Sequence, residues 1–295
     1  MEYMENLYRA NARKELTEHL VYHKLALREK KPANRELLEK LSLQEKGHYE
    51  FWKSLLPGED PRPYAFSLRV MPLMRVFFGV TFVSKLLETH EKASVEDYER
   101  ILPRIPEEHR VTLLAIIEDE KTHEQSLIGS LQERRVAYLG FVALGLADAI
   151  VEITGVHAGF LGVTHETLIA GISGVIVGFS AAISMGSAAY LQAKQDPQKT
   201  PFASAIVTGV SYLASVILLA LPYFLLHAML PAFAASTTVG IFLLAAFTFF
   251  SATVFDRAFW HDITESVLLM LGTAGASYIL GTIVGTAFHV GSGSF

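Results

Sequence analysis

The long uncharged segment Thr200–Phe255 restricts the possible folds of this chain more than any other feature. It contains no Asp, Glu, Lys or Arg, so it cannot form the surface of a soluble protein, where exposed apolar patches are small. About 20 apolar residues are enough for one helix to cross a bilayer. The segment is therefore long enough for two membrane spans, and Pro222, His227 and Pro231 predict the turn between them.

Charge is distributed unevenly between the two parts of the chain. Residues 1–135 hold 45 of the 55 charged residues, and residues 136–295 hold the other ten. Three further stretches with few or no charges, Val136–Val163, Thr167–Ala193 and Ile263–His289, are each long enough for one span. The sequence therefore predicts an all-α protein with a soluble helical domain over residues 1–132 and a five-span membrane domain over residues 133–295.

Basic residues predict how the membrane part is oriented, because cytoplasmic loops carry an excess of Lys and Arg. Arg134 and Arg135 precede the first span, Lys194 and Lys199 follow the second, and Arg257 follows the fourth. With five crossings, all of them lie on one side. We therefore expect the N-terminal domain in the cytoplasm and the C-terminus on the opposite side.

Composition excludes several classes of function. The chain has no cysteine, which rules out disulfides, Cys-ligated zinc, iron–sulfur clusters and thiol redox chemistry. The part of the chain up to Arg135 carries nearly equal numbers of basic and acidic side chains and no basic stripe. Nucleic-acid binding therefore has no support.

The soluble part is predicted to form four helices, which suggests a bundle with in-turned polar residues. The first covers about residues 5–30 and ends at Lys31-Pro32, and the second covers about residues 35–55 with Asn34 as its N-cap. The third runs from about Pro72 to Lys92 and is followed by a short segment. The fourth begins near Glu107, after two prolines.

Two Glu-x-x-His motifs, Glu45-Lys-Gly-His48 and Glu120-Lys-Thr-His123, lie on the second and fourth predicted helices. At this spacing both side chains leave the same face of a helix, so one carboxylate and one imidazole can reach one metal ion. Glu15 on the first helix and Glu88 and Glu91 on the third add acids. A single such motif is usually solvated surface, but this set matches the ligands of dinuclear carboxylate centres in helical bundles. Carboxylates and imidazoles suit iron or manganese, with Zn2+ as a further candidate.

The order Glu, Glu-x-x-His, Glu-x-x-Glu, Glu-x-x-His over residues 1–131 resembles the rubrerythrin branch of the ferritin-like family. In that branch the first Glu also precedes a Tyr by seven residues, as Glu15 precedes Tyr22. The resemblance implies a ferritin-like four-helix bundle with a di-iron centre. It also implies that Fe2+ is bound there and oxidised to Fe3+ by O2 or peroxide.

Two acids, Asp148 and Glu152, lie inside the first predicted span. Asp148 follows 12 uncharged residues after Arg135, which corresponds to about 18 Å of helix at 1.5 Å per residue. Acids at that depth are costly and usually mark a path for ions or protons. We interpret them as a functional pair, with a position near the membrane surface or pairing with Arg257 as the structural alternative.

The segment Gly145-Leu-Ala-Asp148-Ala-Ile-Val-Glu152 resembles the Gly-x-Asn-Asp-x-x-x-Glu pattern of the vacuolar iron transporter family, and especially of its membrane-bound ferritin branch. Ser184-Met185-Gly-Ser-Ala-Ala-Tyr190-Leu is similar to that family's Ser-Met-x-x-x-Glu-Tyr-Leu. Two positions depart from the patterns, because Ala147 replaces the usual Asn and Ala189 the usual Glu. One acid of the family's transport route is therefore missing or supplied from elsewhere.

This second resemblance implies a homodimer in a prokaryotic plasma membrane, whose first two spans line a path for Fe2+ driven by counter-flow of protons. Asp148, Glu152 and Met185 would contact the metal along that path. The leading hypothesis is a proton-coupled exporter of cytoplasmic Fe2+, whose soluble domain captures the ion and either oxidises it or passes it on. A membrane-anchored ferroxidase or peroxide scavenger is the enzyme alternative, and a manganese transporter with a sensing domain differs only in the ion.

Overall fold

The structure is a computed structural model that describes residues 2–58, 60–89, 91–130, 134–164 and 166–288. Side chains are described for all of these except residues 2, 91–93, 122–130, 134 and 135. The described chain is helical throughout and contains no strand, which confirms the predicted all-α class. It divides into two compact units, Met1–Arg134 and Arg135–Phe295.

Six α-helices lie in the described part of the first unit. They are α1 (Glu2–Arg28), α2 (Pro32–Ser54), α3 (Ala65–Phe78), α4 (Val80–Glu88), α5 (Glu91–Ile101) and α6 (Glu107–Ser130). Helix α1 packs along α2, and α6 contacts α2, α4 and α5. The ferritin-like identity of this unit stays a prediction.

The start of α2 differs from the prediction. Lys31 occupies the N-cap position and Pro32 the first helical position, where the missing N–H of proline costs no hydrogen bond. Asn34, which we expected to cap the helix, is instead buried within its first turn.

The predicted third helix over residues 72–92 is wrong, because the chain there forms α3, α4 and the start of α5. Gly79 separates α3 from α4 with a φ of 92°, a conformation that glycine adopts without the steric cost other residues meet. Helix α4 then ends at Glu88, and α5 begins at Glu91. The two acids therefore do not share the face of one helix.

The apolar core of the first unit is built largely from aromatic and branched side chains. Its members are Ala12, Phe51, Trp52, Tyr98, Ile101, Ile105, Leu113, Ile116 and Ile117. The ring of Trp52 is fully buried, and its centroid lies 4.9 Å from the centroid of the Tyr98 ring. Burying about 200 Å2 of one tryptophan stabilises the fold by about 5 kcal/mol. This packing holds Tyr98 in the interior, next to α1.

Five helices in the described part of the second unit are long and apolar enough to cross a membrane, which confirms the predicted number of spans. After a short turn of helix, α7 (Arg134–Ala137), they are α8 (Leu139–Val163), α9 (Thr167–Ala193), α10 (Pro201–Leu225), α11 (Met229–Phe255) and α12 (Phe259–Ala287). The turn between the third and fourth spans covers only residues 226–228. Pro222 therefore lies inside α10 and Pro231 in the first turn of α11, where a proline is tolerated.

Helix α8 packs against all four of the other spans. Glycines permit the closest approaches, since a Cβ at Gly145 would overlap the carbonyl oxygen of Thr208 on α10, and one at Gly281 on α12 would overlap that of Gly159. The Thr208 hydroxyl also donates a 3.2 Å hydrogen bond to the carbonyl of Phe141. Small residues and inter-helix hydrogen bonds are the usual means by which spans associate.

Candidate metal site and membrane acids

Four side chains that the sequence singled out meet inside the first unit. They are Glu15 from α1, Glu45 and His48 from α2, and Glu120 from α6. One ligand atom of each lies within 4.8 Å of those of the other three. Each residue is at most 3% exposed, so the group lies in the interior rather than on a solvated face.

The pattern of α2 explains why Glu45 and His48 point inward. They interrupt a stripe of buried side chains at helical spacing that also contains Leu38, Leu41 and Trp52. Apolar residues above and below the two polar ones drive that face into the core, because burying large apolar side chains is strongly favourable. Packing of α2 against α1 and α6 then brings the acids of those helices to the same point.

The imidazole of His48 lies at the centre of the cluster. Its Nδ1 atom is 3.1 Å from Oε1 of Glu120, 3.4 Å from Oε2 of Glu45 and 3.9 Å from Oε2 of Glu15. Asp119, which is half exposed on α6, lies 3.6 Å from Nε2 on the other edge of the ring. Three carboxylates thus surround a single nitrogen atom.

Further polar groups hold Glu15 in place. The hydroxyl of Tyr98 on α5 donates a 2.5 Å hydrogen bond to Oε1 of Glu15. The ammonium of Lys14 lies 3.9 Å from that oxygen and 3.6 Å from Oε2 of Glu18. It also donates a 3.0 Å hydrogen bond to the hydroxyl of Ser94. Lys14 therefore places a positive charge beside the buried acids.

The electrostatics of the cluster are dominated by burial and by the crowded carboxylates. Burial by itself would lower the pKa of His48, but its hydrogen bonds with Glu120 and Glu45 outweigh this and raise the pKa to about 11. Burial raises the pKa of Glu45 well above its usual range, against the hydrogen bond from His48. For Glu15, burial is outweighed by Lys14 and by hydrogen bonds, and its pKa is lowered. A protonated His48 therefore supplies the compensating charge inside the cluster.

These residues fit a divalent metal ion. Oε2 of Glu15 is buried and has no hydrogen-bond partner among the described residues. Leaving carboxylate oxygens in a protein interior is costly unless a cation or hydrogen bonds compensate them. Three carboxylates and one imidazole are ligands that Fe2+, Mn2+ and Zn2+ all accept.

Of the remaining candidates of the first unit, only Glu88 has a described side chain, and it is not part of this group. Glu88 is buried at the end of α4, where the ammonium of Lys85 lies 4.0 Å from its Oε2 atom. Glu91 and His123 belong to α5 and α6, and their side chains lie outside the described residues.

Sequence reasoning missed several residues around the cluster. None of Tyr98, Lys14 and Glu18 was named as a candidate ligand, and Glu18 is only 7% exposed. The i,i+3 spacing of Glu15 and Glu18 could have pointed to the latter, since both then project from one face of α1. No local signal identifies Tyr98, which is 83 residues away from the carboxylate it contacts.

In the second unit, Asp148 and Glu152 lie half-buried on α8. The hydroxyl of Tyr212 on α10, which the sequence did not single out, donates a hydrogen bond to Oε2 of Glu152. Met185 of α9 is partly buried against the apolar core of this unit. Arg257, the alternative partner for the acids, instead has its guanidinium 3.9 Å from Asp262.

A cavity lies at each end of α8. One, of about 620 Å3, is lined by Leu144, one turn before Asp148, and by Asp196 and Lys199 of the α9–α10 connection. The other, of about 670 Å3, is lined by Ala158 near the far end of α8 and by Met229 at the start of α11. The two acids of α8 therefore lie between two cavities along the helix.

No protein-family model, curated protein or solved structure matches the chain. The resemblances based on motifs therefore stay predictions.

Proposed function

We propose that this protein is a membrane transporter that exports Fe2+ from the cytoplasm in exchange for protons, and that the first unit captures the ion. The observation that supports this most is the occurrence, in one chain, of the buried Glu15–Glu45–His48–Glu120 cluster and of five apolar helices. A membrane anchor would need only one apolar helix. Two acids within such a helix are costly and are typical of ion paths.

The ligand types favour a transition-metal ion over Mg2+ or Ca2+. An imidazole at the centre of three carboxylates is typical of iron and manganese sites, whereas Mg2+ and Ca2+ take oxygen ligands. By the resemblance to the iron transporters, Met185 would contact the metal along the same path as the two acids. Its thioether sulfur suits a softer ion such as Fe2+ better than Mg2+ or Ca2+. Mn2+ is the main competing cargo.

In the first unit, Glu15, Glu45, His48 and Glu120 would hold the ion, whose positive charge offsets that of the buried acids. The Tyr98 hydroxyl keeps the carboxylate of Glu15 oriented, and the ammonium of Lys14 offsets part of the negative charge of the acids. His48 gives up its proton when it becomes a ligand, because only the neutral imidazole binds metals.

In the second unit, Asp148 and Glu152 would offer carboxylates one helical turn apart to an ion that enters from the cavity at Leu144. Tyr212 orients the carboxylate of Glu152 by its hydrogen bond. A carboxylate that alternates between holding a cation and holding a proton couples the two flows. The homodimer implied by the transporter resemblance belongs to the same proposal.

The second candidate is a membrane-anchored ferroxidase. Its support is the excess of carboxylates around His48, because hard oxygen ligands stabilise Fe3+, the product of oxidation, more than Fe2+. Bound iron would supply the redox chemistry, and the buried carboxylates would keep the oxidised ion out of water.

The deciding experiment is metal flux into proteoliposomes containing the full chain, under an imposed pH gradient, with Fe2+ and Mn2+ tested side by side. We expect saturable entry of Fe2+ that stops when the gradient is dissipated. Asp148→Asn should abolish this flux, whereas Glu166→Gln, which alters an exposed acid between α8 and α9, should retain it. Protein that binds Fe2+ and consumes O2 but transports neither ion would identify the ferroxidase instead.

A further inference from the structure

A second group of buried polar side chains lies in the membrane unit, beyond the two acids of α8. His157 is fully buried, and neither of its ring nitrogens has a hydrogen-bond partner among the described residues. The same holds for the hydroxyls of Thr154, one turn earlier on α8, and of Tyr223 on α10. None of these three residues was singled out by the sequence motifs.

The aromatic rings of Tyr223 and His157 are in contact. The ring of Tyr223 lies 4.0 Å from that of His157, centre to centre. Thr154 and His157 project from the same face of α8 because they are three residues apart. Opposite them, α9 presents Gly174, where a Cβ would overlap Nε2 of His157 and approach its Cε1 atom to 3.3 Å. Glycine at this position leaves the space that the imidazole occupies.

Such a site is unfavourable unless something binds there. Each buried polar group without a partner costs about 1–3 kcal/mol, and apolar residues of similar size would pack at this position without that cost. Ionisable residues in membrane spans are rare, face the interior and mark substrate or proton paths. The cluster therefore indicates a ligand that imidazole and hydroxyl groups can hydrogen-bond.

The available groups favour a proton, with its hydrating water, over a metal ion. His157 faces Tyr223 on α10 and the side-chain-free Gly174 on α9, neither of which carries a charge. The neighbouring turns of α8, at Gly155 and Gly159, pack against Thr273 and Ser277 of α12. The nearest acid on its own helix is Glu152, five residues earlier. One imidazole and neutral hydroxyls form a weak divalent-cation site, but an imidazole readily exchanges protons.

A cavity of about 670 Å3 lies near the α10–α11 turn. Ala158, adjacent to His157 in the chain, lines this cavity, and so does Met229, which packs in one apolar cluster with Tyr223. Tyr223 lies about three helical turns after Tyr212 on α10, so both tyrosines face α8. The site thus lies between this cavity and the Tyr212–Glu152 hydrogen bond.

We propose that His157, Thr154 and Tyr223 form a proton-binding site that is loaded from the cavity at the α10–α11 turn. One ring nitrogen of the neutral imidazole accepts a proton from water in the cavity. The resulting imidazolium donates hydrogen bonds to the hydroxyl oxygens of Tyr223 and Thr154, and releases the proton towards the α8–α10 interface. This inference rests on the proposed function in one respect, namely that these protons are the counter-ions of metal export.

The first test measures protonation directly, on the full chain with 15N-labelled histidine in lipid nanodiscs. The signal of His157 is identified as the one that disappears in His157→Gln. We expect its ring to be neutral at about pH 9 and to gain a proton only as the pH is lowered to about 4, below the range in which accessible histidines titrate, because His157 is buried. A ring that stays in one protonation state throughout would overturn the proposal, whatever the protein transports.

The second test measures Fe2+ and proton flux in proteoliposomes. His157→Gln should lower gradient-driven Fe2+ flux by about 100-fold, the lower end of the range for loss of a proton-transfer group. His227→Gln, the same substitution at an exposed residue of the α10–α11 turn, should not, and Tyr223→Phe provides a milder second variant. Equal flux in wild type, His157→Gln and Tyr223→Phe would overturn the proposal. Absence of flux in wild type, with His157 still titrating, would reject the transporter function and leave the proton site supported.

Discussion

At the scale of single residues, the metal cluster is defined by the unusual surroundings of His48. A nitrogen within 3.9 Å of three carboxylates is paired with more negative charge than a proton alone can neutralise. Removing one partner of a buried charged network normally destabilises it, because the other charge is left uncompensated. This cluster contains excess acid, so removing one carboxylate charge should instead spare the fold and affect the metal.

Replacing Glu45 by Gln tests that expectation. Glu45→Gln preserves side-chain volume but removes a ligand charge, and we expect the affinity for Mn2+ to fall by at least about 100-fold, the upper range for loss of supporting residues at metal sites. The melting temperature of the metal-free protein should stay the same or rise. Titration calorimetry and thermal unfolding of the full chain measure the two effects. Glu50→Gln, an exposed acid on the same helix, is the control, and equal affinity loss in both variants would contradict the assignment.

The protonation of the cluster predicts how metal affinity depends on pH. Because the pKa of His48 is raised to about 11, its imidazole holds a proton near neutral pH. A metal ion must displace that proton, so affinity should rise with pH and fall as acid is added. Calorimetry in buffers of different ionisation enthalpy counts the protons released. A heat of Mn2+ binding that is independent of the buffer would refute this.

At the scale of the helices, backbone spacing decides how the membrane unit packs. A Cβ at Gly281 of α12 would lie 2.9 Å from the carbonyl carbon of Gly159 on α8 and even closer to its oxygen. Backbone atoms cannot rotate out of the way as side chains do, so the two helices must separate or tilt. Gly272, earlier on α12, has no atom within 4 Å of its Cβ position.

This pair of glycines provides a matched test of helix packing. Gly281→Ala should destabilise the membrane unit by about 1–3 kcal/mol, the usual cost of overpacking. Gly272→Ala should be neutral or slightly stabilising, since alanine favours helix more than glycine by about 1 kcal/mol. Thermal unfolding of both variants in detergent provides the comparison. Similar melting temperatures for the two would show that α8 and α12 do not approach as closely as described.

At the scale of the whole molecule, most charged residues belong to the first unit. The few basic residues of the second unit predict how the chain is oriented in the bilayer. The connection between α9 and α10 contains Lys194 and Lys199, whereas the turn between α10 and α11 contains no Lys or Arg. Basic residues are retained on the cytoplasmic side during insertion. The same rule predicts that the first unit lies in the cytoplasm, as capture of cytoplasmic metal would require.

Single-cysteine labelling tests this orientation without background, since the chain has no cysteine of its own. Gln195→Cys and His227→Cys place a thiol at exposed positions of the α9–α10 connection and the α10–α11 turn. A membrane-impermeant maleimide should label only the His227→Cys variant in intact cells, and both variants after lysis. Labelling of Gln195→Cys in intact cells would reverse the orientation and exclude export from the cytoplasm by this route.

The spans and the ligand motifs were predictable from sequence because both depend on residues close together in the chain. Hydrophobic length identifies a span, and the i,i+3 spacing of Glu45 and His48 places them on one helical face whatever surrounds the helix. The same local reasoning failed between residues 72 and 92. There, a positive φ at Gly79 and the end of α4 at Glu88 break a helix that composition alone suggests is continuous.

The sequence by itself thus determined the helical class, the five spans and four of the candidate ligands now found together. Only the tertiary structure decided which polar groups meet, including Tyr98 at Glu15, Tyr212 at Glu152 and Tyr223 at His157. In each pair the two residues come from different helices that are far apart in the chain. Such contacts depend on how helices pack against each other, and helical periodicity, which is local, carries no information about that.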